Sequence, residues 1–138
     1  MKKFLEIDFL PRSPDLALLV LRVWLGVTLL VVHGWGKVSG FSAMSEKFGD
    51  PIGIGSTASL ALAAFAEVVC AALVAVGLFT RFGALVLICN FCVAFFLAHG
   101  HALSGPHSGE LPFLYLAGFV TLFIAGGGRF SLSGKPGA

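Results

Sequence analysis

Four long apolar segments limit what this chain can fold into more than any other feature of its sequence. They cover residues 16–35, 57–79, 82–98 and 111–125. A helix of about 20 apolar residues crosses the hydrocarbon core of a bilayer. Only helices and closed barrels satisfy their backbone hydrogen bonds there, and continuous apolarity excludes the alternating pattern of barrel strands. The sequence therefore predicts an all-α membrane protein, an antiparallel four-helix transmembrane bundle in one domain over residues 1–138.

The composition supports a membrane environment. Of the 138 residues, 57% are hydrophobic and 12% are charged, and the mean hydropathy is +0.96. Soluble domains carry about 25% charged residues, and disordered chains combine low hydrophobicity with high charge, so both classes are excluded. The net charge of +2, without a basic run, excludes nucleic acid as a partner. The lipid bilayer is the expected surrounding.

The positive-inside rule predicts the orientation of the chain. With the N-terminus inside, six basic residues flank the spans on the cytoplasmic side and two on the outer side. The cytoplasmic residues are Lys2, Lys3, Arg12, Arg81, Arg129 and Lys135, and the outer ones are Lys37 and Lys47. We therefore expect a multi-pass protein of the cell (inner) membrane with both termini in the cytoplasm.

The first outer connection contains an amphipathic segment. Phe41, Met44 and Phe48 lie on one helical face of this segment, and Gly49-Asp50-Pro51 follows it. This pattern predicts a short helix that lies in the outer membrane interface.

Two charged side chains fall inside the predicted spans. Arg22 lies ~10 Å into the first helix and Glu67 ~15 Å into the second, at 1.5 Å per residue. Burial disfavours the charged form of a lone carboxylate, so Glu67 needs a partner. Arg22 is one candidate, and His33 or Lys37 is equally compatible because side chains lean toward the N-terminus of their helix. A structural buried pair without chemistry is the alternative interpretation.

Most other polar groups collect at the predicted outer face, without a comparable cluster at the inner face. They are His33, Lys37, His99, His101, His107 and Glu110. Imidazoles exchange protons near neutral pH, and with an aromatic wall they suit a quinone head group. The wall residues are Trp35, Phe95, Phe96, Phe113 and Tyr115. The three last histidines also offer copper or zinc ligands, although their spacing matches no tight metal motif. Solvated loop histidines and a carboxylate at a helix N-terminus are the alternatives.

The third segment contains Cys89-Asn90-Phe91-Cys92, a C-x-x-C spacing also used by redox dithiols. Thiols buried in hydrocarbon lose reactivity, so these cysteines and Cys70 are interpreted as packing residues. Asn90 is expected to form a hydrogen bond between helices.

Several stretches resemble the DoxX family of small bacterial and archaeal membrane proteins. These stretches are residues 22–26, 33–37 with Phe41, 66–67, 77–81, 109–110 and 126–132. Two departures are Cys70-Ala71, where many members have paired glycines, and Ser133, where an aspartate is common.

The resemblance implies a membrane subunit similar to those of thiosulfate:quinone oxidoreductase, or of complexes that join thiol and sulfur metabolism to oxidant defence. It places the family's polar positions on Arg22, His33, Lys37, Glu67 and Glu110.

The sequence thus predicts a redox-associated, quinone-linked oxidoreductase subunit with a polar pocket in the outer half of the bundle. The pocket residues are His33, Lys37, Glu67, His99 and Glu110, with Arg22 and Asn90 as buried polar support. Two alternatives remain: a non-catalytic anchor that recruits a soluble or membrane redox partner, and copper or zinc handling through His99, His101 and His107. A homo-oligomer is compatible with all three.

Overall fold

The computed structural model describes residues 5–7 and 10–133. The described chain forms helices and connecting turns, and no strand occurs within it. We number the helices α1 (Pro14–Ser39), α2 (Phe41–Met44), α3 (Ser56–Val76), α4 (Thr80–Ala98) and α5 (Glu110–Ala125). The predicted all-α class is therefore confirmed. Three of the basic residues used to predict the orientation, Lys2, Lys3 and Lys135, lie outside the described residues.

Three helices, α1, α3 and α4, are long and apolar enough to cross a membrane. The fourth apolar helix, α5, has 16 residues. At 1.5 Å per residue it measures ~24 Å, somewhat less than a hydrocarbon core of ~30 Å. Three helices thus support a multi-pass membrane protein, and a fourth crossing by α5 stays a prediction.

The helix boundaries follow local backbone chemistry. Helix α1 begins where the Ser13 hydroxyl accepts a hydrogen bond from Leu16 N (3.2 Å), with Pro14 in the first turn. Helix α3 ends three residues before its predicted limit because Gly77 adopts a left-handed conformation (φ +78°). Thr80, predicted to lie between the helices, already begins α4.

The connection after α1 is less helical than predicted. The sequence predicts one short helix over residues 41–48, yet only Phe41–Met44 is helical. Lys47 N and Phe48 N both donate to the carbonyl of Met44, which forms a turn and ends the helix. The predicted location of α2 in the membrane interface stays a prediction.

Helices α1, α3, α4 and α5 surround one apolar core, whose central residues include Leu29, Val74, Leu87, Phe119 and Leu122. Helix α4 packs along α5, and α1 packs along the second half of α3. We call the end of the bundle near Gly77 the hairpin end, and the end where α1 stops and α3 starts the cavity end.

Each long helix contains a π-helical segment: Leu29–Gly34 in α1, Ala66–Cys70 in α3 and Val93–Ala98 in α4. A π turn places one extra residue in the helix and changes the direction in which the following side chains project. Such segments occur frequently at functional sites. All three contribute residues to the same cavity.

Candidate functional site

A cavity of about 790 Å³ lies between the helices at the cavity end. This volume is typical of small-molecule pockets, which range over roughly 300–1,000 Å³. Most of its lining is apolar, from α1, α3, α4 and α5 and from the loop before α3. The apolar lining includes Leu29, Leu62, Phe65, Val86, Phe91, Val93, Leu111 and Pro112.

A buried charge pair forms the deepest polar part of the cavity. Glu67, whose residue is 7% exposed, accepts hydrogen bonds from Lys37 Nζ and from Asn90 Nδ2, the latter at 3.2 Å. Of the alternatives that the sequence left open, Lys37 is therefore the partner of Glu67. Side chains lean toward the N-terminus of their helix, and in α3 this direction leads to the cavity end, where α1 carries Lys37.

His33 and Tyr115 add two further polar groups to the lining. Their rings meet edge to face with centroids 6.1 Å apart, and Tyr115 stacks on Phe91 at 5.1 Å. Within the described chain, neither the imidazole nor the phenol hydroxyl forms a hydrogen bond. Both groups can therefore bond to a molecule inside the cavity.

The remaining predicted site residues are divided between the cavity and the surface. His99 lines the cavity, and its Nδ1 lies 2.7 Å from the carbonyl of Ala94. Glu110 is exposed at the first position of α5, outside the lining. His101 and His107 are also exposed. Among the described residues, no group of three or more metal-ligating side chains comes close enough to hold an ion.

Arg22 lies at the hairpin end, away from the cavity. Its residue is 2% exposed, and its guanidinium donates to the carbonyls of Ala75 (2.5 Å) and Phe130 (2.7 Å). The antiparallel arrangement places Arg22 beside the last turn of α3, well past Glu67 along that helix. Arg22 therefore supports the packing of the C-terminal segment at the hairpin end. The sequence instead predicts that Arg22 supports the pocket.

A loop of residues 48–52, which we call the cap loop, lines the cavity beside the start of α3. Asp50 holds it in place: its carboxylate accepts from Gly55 N (2.8 Å), Ile54 N (2.9 Å) and the Ser59 hydroxyl (2.9 Å). The backbone N–H of Gly55, above all, holds the pKa of the Asp50 carboxyl below its usual value, and the hydroxyl of Ser59 contributes. Phe48, Gly49, Pro51 and Ile52 line the cavity.

Comparison with known proteins decides the family. The family model for DoxX matches residues 17–100, which is more than half of the chain. This protein belongs to the DoxX family. No curated protein and no solved structure shows significant similarity to it.

The matched part of the DoxX chain contains most of the polar cavity residues, namely His33, Lys37, Glu67, Asn90 and His99. Helix α5, with Tyr115, follows the matched residues. Asp50 and Ser59 are not among the site residues that the sequence predicts. The Asp50-Pro51 pair before two glycines and a helix was the available signal, since aspartate commonly accepts backbone N–H bonds in turns and at helix starts.

Proposed function

We propose that this DoxX protein is a redox-associated membrane subunit that binds a quinone, or a similar small redox partner, in the cavity. One observation carries the proposal: an apolar, aromatic cavity of about 790 Å³ ends in the Lys37–Glu67–Asn90 cluster. Ligand pockets typically combine such walls with a few placed polar groups. Three π-helical segments around the same space are further support.

The hydrogen-bonding capacity of the cluster suits the oxygens of a quinone. Lys37 has three N–H donors, one of which reaches Glu67. Asn90 keeps a second N–H, and Tyr115 keeps its hydroxyl. The carboxylate of Glu67 compensates the charge of Lys37, so the pair favours a neutral head group with carbonyl acceptors over an anion.

A bound quinone supplies two-electron, two-proton redox chemistry. The imidazole of His33 can hold and release a proton at either ring nitrogen, because none is committed to another described residue. Lys37 can donate its two remaining N–H bonds to a head-group oxygen. The walls of Phe91 and Tyr115 exclude water and offer aromatic faces for stacking.

Titration of the purified full chain in lipid nanodiscs with a ubiquinone or menaquinone analogue tests the proposal. We expect saturable binding that weakens at least tenfold in Glu67→Gln and in His33→Ala. His33 carries no buried partner charge, so its variant keeps the fold even if Glu67→Gln does not. The matched controls Glu46→Gln and His107→Ala change exposed residues and should bind normally. Absence of saturable binding, or equal binding by all four variants, overturns the proposal.

A second candidate function is a non-catalytic anchor for a redox enzyme. Both carboxylate oxygens of Glu67 already have partners within the chain, which favours a structural role for the cluster. In that case Glu67→Gln lowers the unfolding temperature and the abundance of a partner complex, and no quinone binds to the unaltered chain.

The proposal includes four membrane crossings in the cell (inner) membrane, with the cavity in the outer half and both termini in the cytoplasm. Among described residues, Arg81 lies beside the hairpin turn and Arg129 follows α5, so both lie at the hairpin end. Lys37, one of two basic residues counted outside, is neutralised by Glu67. The positive-inside rule counts lysine and arginine near the ends of the spans, so the predicted orientation depends on the basic residues of the hairpin end.

A further inference from the structure

We infer that a ligand enters the cavity laterally from the bilayer, through an opening between α3 and α4. The ligand class is a single-chain amphiphile whose neutral, carbonyl-bearing head group reaches Lys37 and Asn90 while its chain stays among the lipids. The inference rests on the proposed function only for the redox character of the head group.

The opening arises because α3 and α4 diverge along their length. At the hairpin end they lie in close contact: a Cβ added to Gly83 would lie 2.9 Å from Val74 Cγ2 and 3.0 Å from the carbonyl oxygen of Cys70. The second half of α3 packs on α4, whereas residues 56–65 pack mainly on α1 and α2. The gap between α3 and α4 therefore widens toward the cavity end.

The cavity lining continues onto the lipid-facing surface at this gap. On α3, Leu62 is 55% exposed and Phe65 is 45% exposed, and both line the cavity. On α4, Cys89 is exposed and Val93 is half-buried, and both also line it. Because these four residues lie on the two diverging helices and are both lining and exposed, they mark an opening between α3 and α4. In a bilayer this opening faces acyl chains.

A route from water would pass the cap loop. This loop lines the cavity beside the start of α3, and Asp50 ties it to Ile54, Gly55 and Ser59. Glu67 lies 11 residues beyond the start of α3 at Ser56, a depth of ~16 Å at 1.5 Å per residue. A water-soluble ligand would have to pass the loop and cross this apolar depth, whereas a membrane-soluble ligand enters at the level of Phe65 and Cys89.

Cys89 provides a native probe for the opening. The full-length Cys92→Ala chain in nanodiscs is treated with N-ethylmaleimide, with and without decylubiquinone. The other cysteine that remains besides Cys89 is Cys70, which is fully buried. We expect saturating decylubiquinone to slow alkylation of Cys89 at least fivefold. The matched control is Leu85→Cys in a Cys89→Ala, Cys92→Ala chain. Leu85 is 45% exposed, one turn away on the same helix, and outside the lining, so its alkylation should not change.

A steric variant tests the route itself. Cys89→Trp narrows the opening and should slow association of decylubiquinone at least tenfold, whereas Leu85→Trp adds the same bulk outside it and should leave the rate unchanged. Binding that persists without protection of Cys89 and with a normal rate in Cys89→Trp overturns the lateral route.

A second probe separates this inference from the proposed function. Decyl benzoate has the same chain and a carbonyl acceptor, yet it is not a quinone. Protection of Cys89 by decyl benzoate, with no binding of decylubiquinone, supports the lateral site and contradicts the quinone function. Binding of decylubiquinone without protection by either probe contradicts the lateral site alone. Absence of binding by both probes contradicts both.

Discussion

Glu67 is the residue at which burial and charge meet most directly. A carboxylate at this depth needs compensation, and the chain provides it from two other helices, through Lys37 on α1 and Asn90 on α4. The requirement for a partner follows from the sequence. The choice of Lys37 over Arg22 does not, because it depends on how far α3 and α1 slide past each other when they pack.

Asp50 makes a residue-scale prediction about pH. Its carboxylate is stabilised in the folded state by Gly55 N and Ser59, which depresses its pKa below the ordinary value of 3.8. A depressed folded-state pKa contributes stability above the unfolded-state value, and this contribution is lost as the pH falls through the folded-state pKa. We therefore expect Asp50→Asn to unfold at a lower temperature than the unaltered chain at pH 7.

The difference between the two chains should shrink as the pH falls below 3.8, the ordinary aspartate value. Thermal unfolding followed by circular dichroism across the acid range measures it. Glu46→Gln, an exposed neighbour on the same connection, should show no such difference. A constant gap between Asp50→Asn and the unaltered chain at all pH values contradicts the assignment.

At the scale of elements, the helices pack closely at the hairpin end and separate at the cavity end. Gly83 lets α4 approach α3 closely at the hairpin end, and Arg22 joins α1 to the last turn of α3 and to the segment after α5. Two of the π-helical segments, Leu29–Gly34 and Val93–Ala98, lie in the other half, and Ala66–Cys70 begins at the middle of α3. The apolar segments predict the helices, but their period does not show where two helices separate, since every lipid-facing or core-facing position is apolar in such a chain.

Replacement of Arg22 by Met should weaken the packing at the hairpin end. The carbonyls of Ala75 and Phe130 would lose their hydrogen bonds to the guanidinium, and a hydrogen bond to a charged group contributes about 1.5–3 kcal/mol. We expect a lower unfolding temperature and faster proteolysis after α5, while quinone-analogue affinity changes less than twofold because Arg22 lies outside the cavity. Arg129→Met, an exposed change nearby, is the matched control. Loss of affinity in Arg22→Met without loss of stability would show that Arg22 acts on the pocket.

At the scale of the whole molecule, the side of the membrane on which the hairpin end and the cavity end lie determines which leaflet contains the cavity. Ser104 lies in the connection between α4 and α5 at the cavity end, and Leu132 lies at the hairpin end; both are exposed. In intact cells we expect a membrane-impermeant maleimide to label Ser104→Cys, and to label Leu132→Cys only after permeabilisation. The reverse pattern would place the cavity in the inner half of the membrane and contradict the predicted orientation.

The sequence by itself determined the helical class, the membrane environment and the family. Long apolar segments leave no other way to satisfy the backbone in lipid, and the ordered motifs resembled DoxX before the family model matched. It also predicted His33, Lys37, Glu67 and His99 as pocket residues, and all four line the cavity. Only the tertiary structure decided that Lys37 pairs with Glu67, that Glu110 stays at the surface and that Arg22 serves the opposite end. These outcomes depend on helix register and divergence, which follow from the packing of four helices together and cannot be calculated from any one segment.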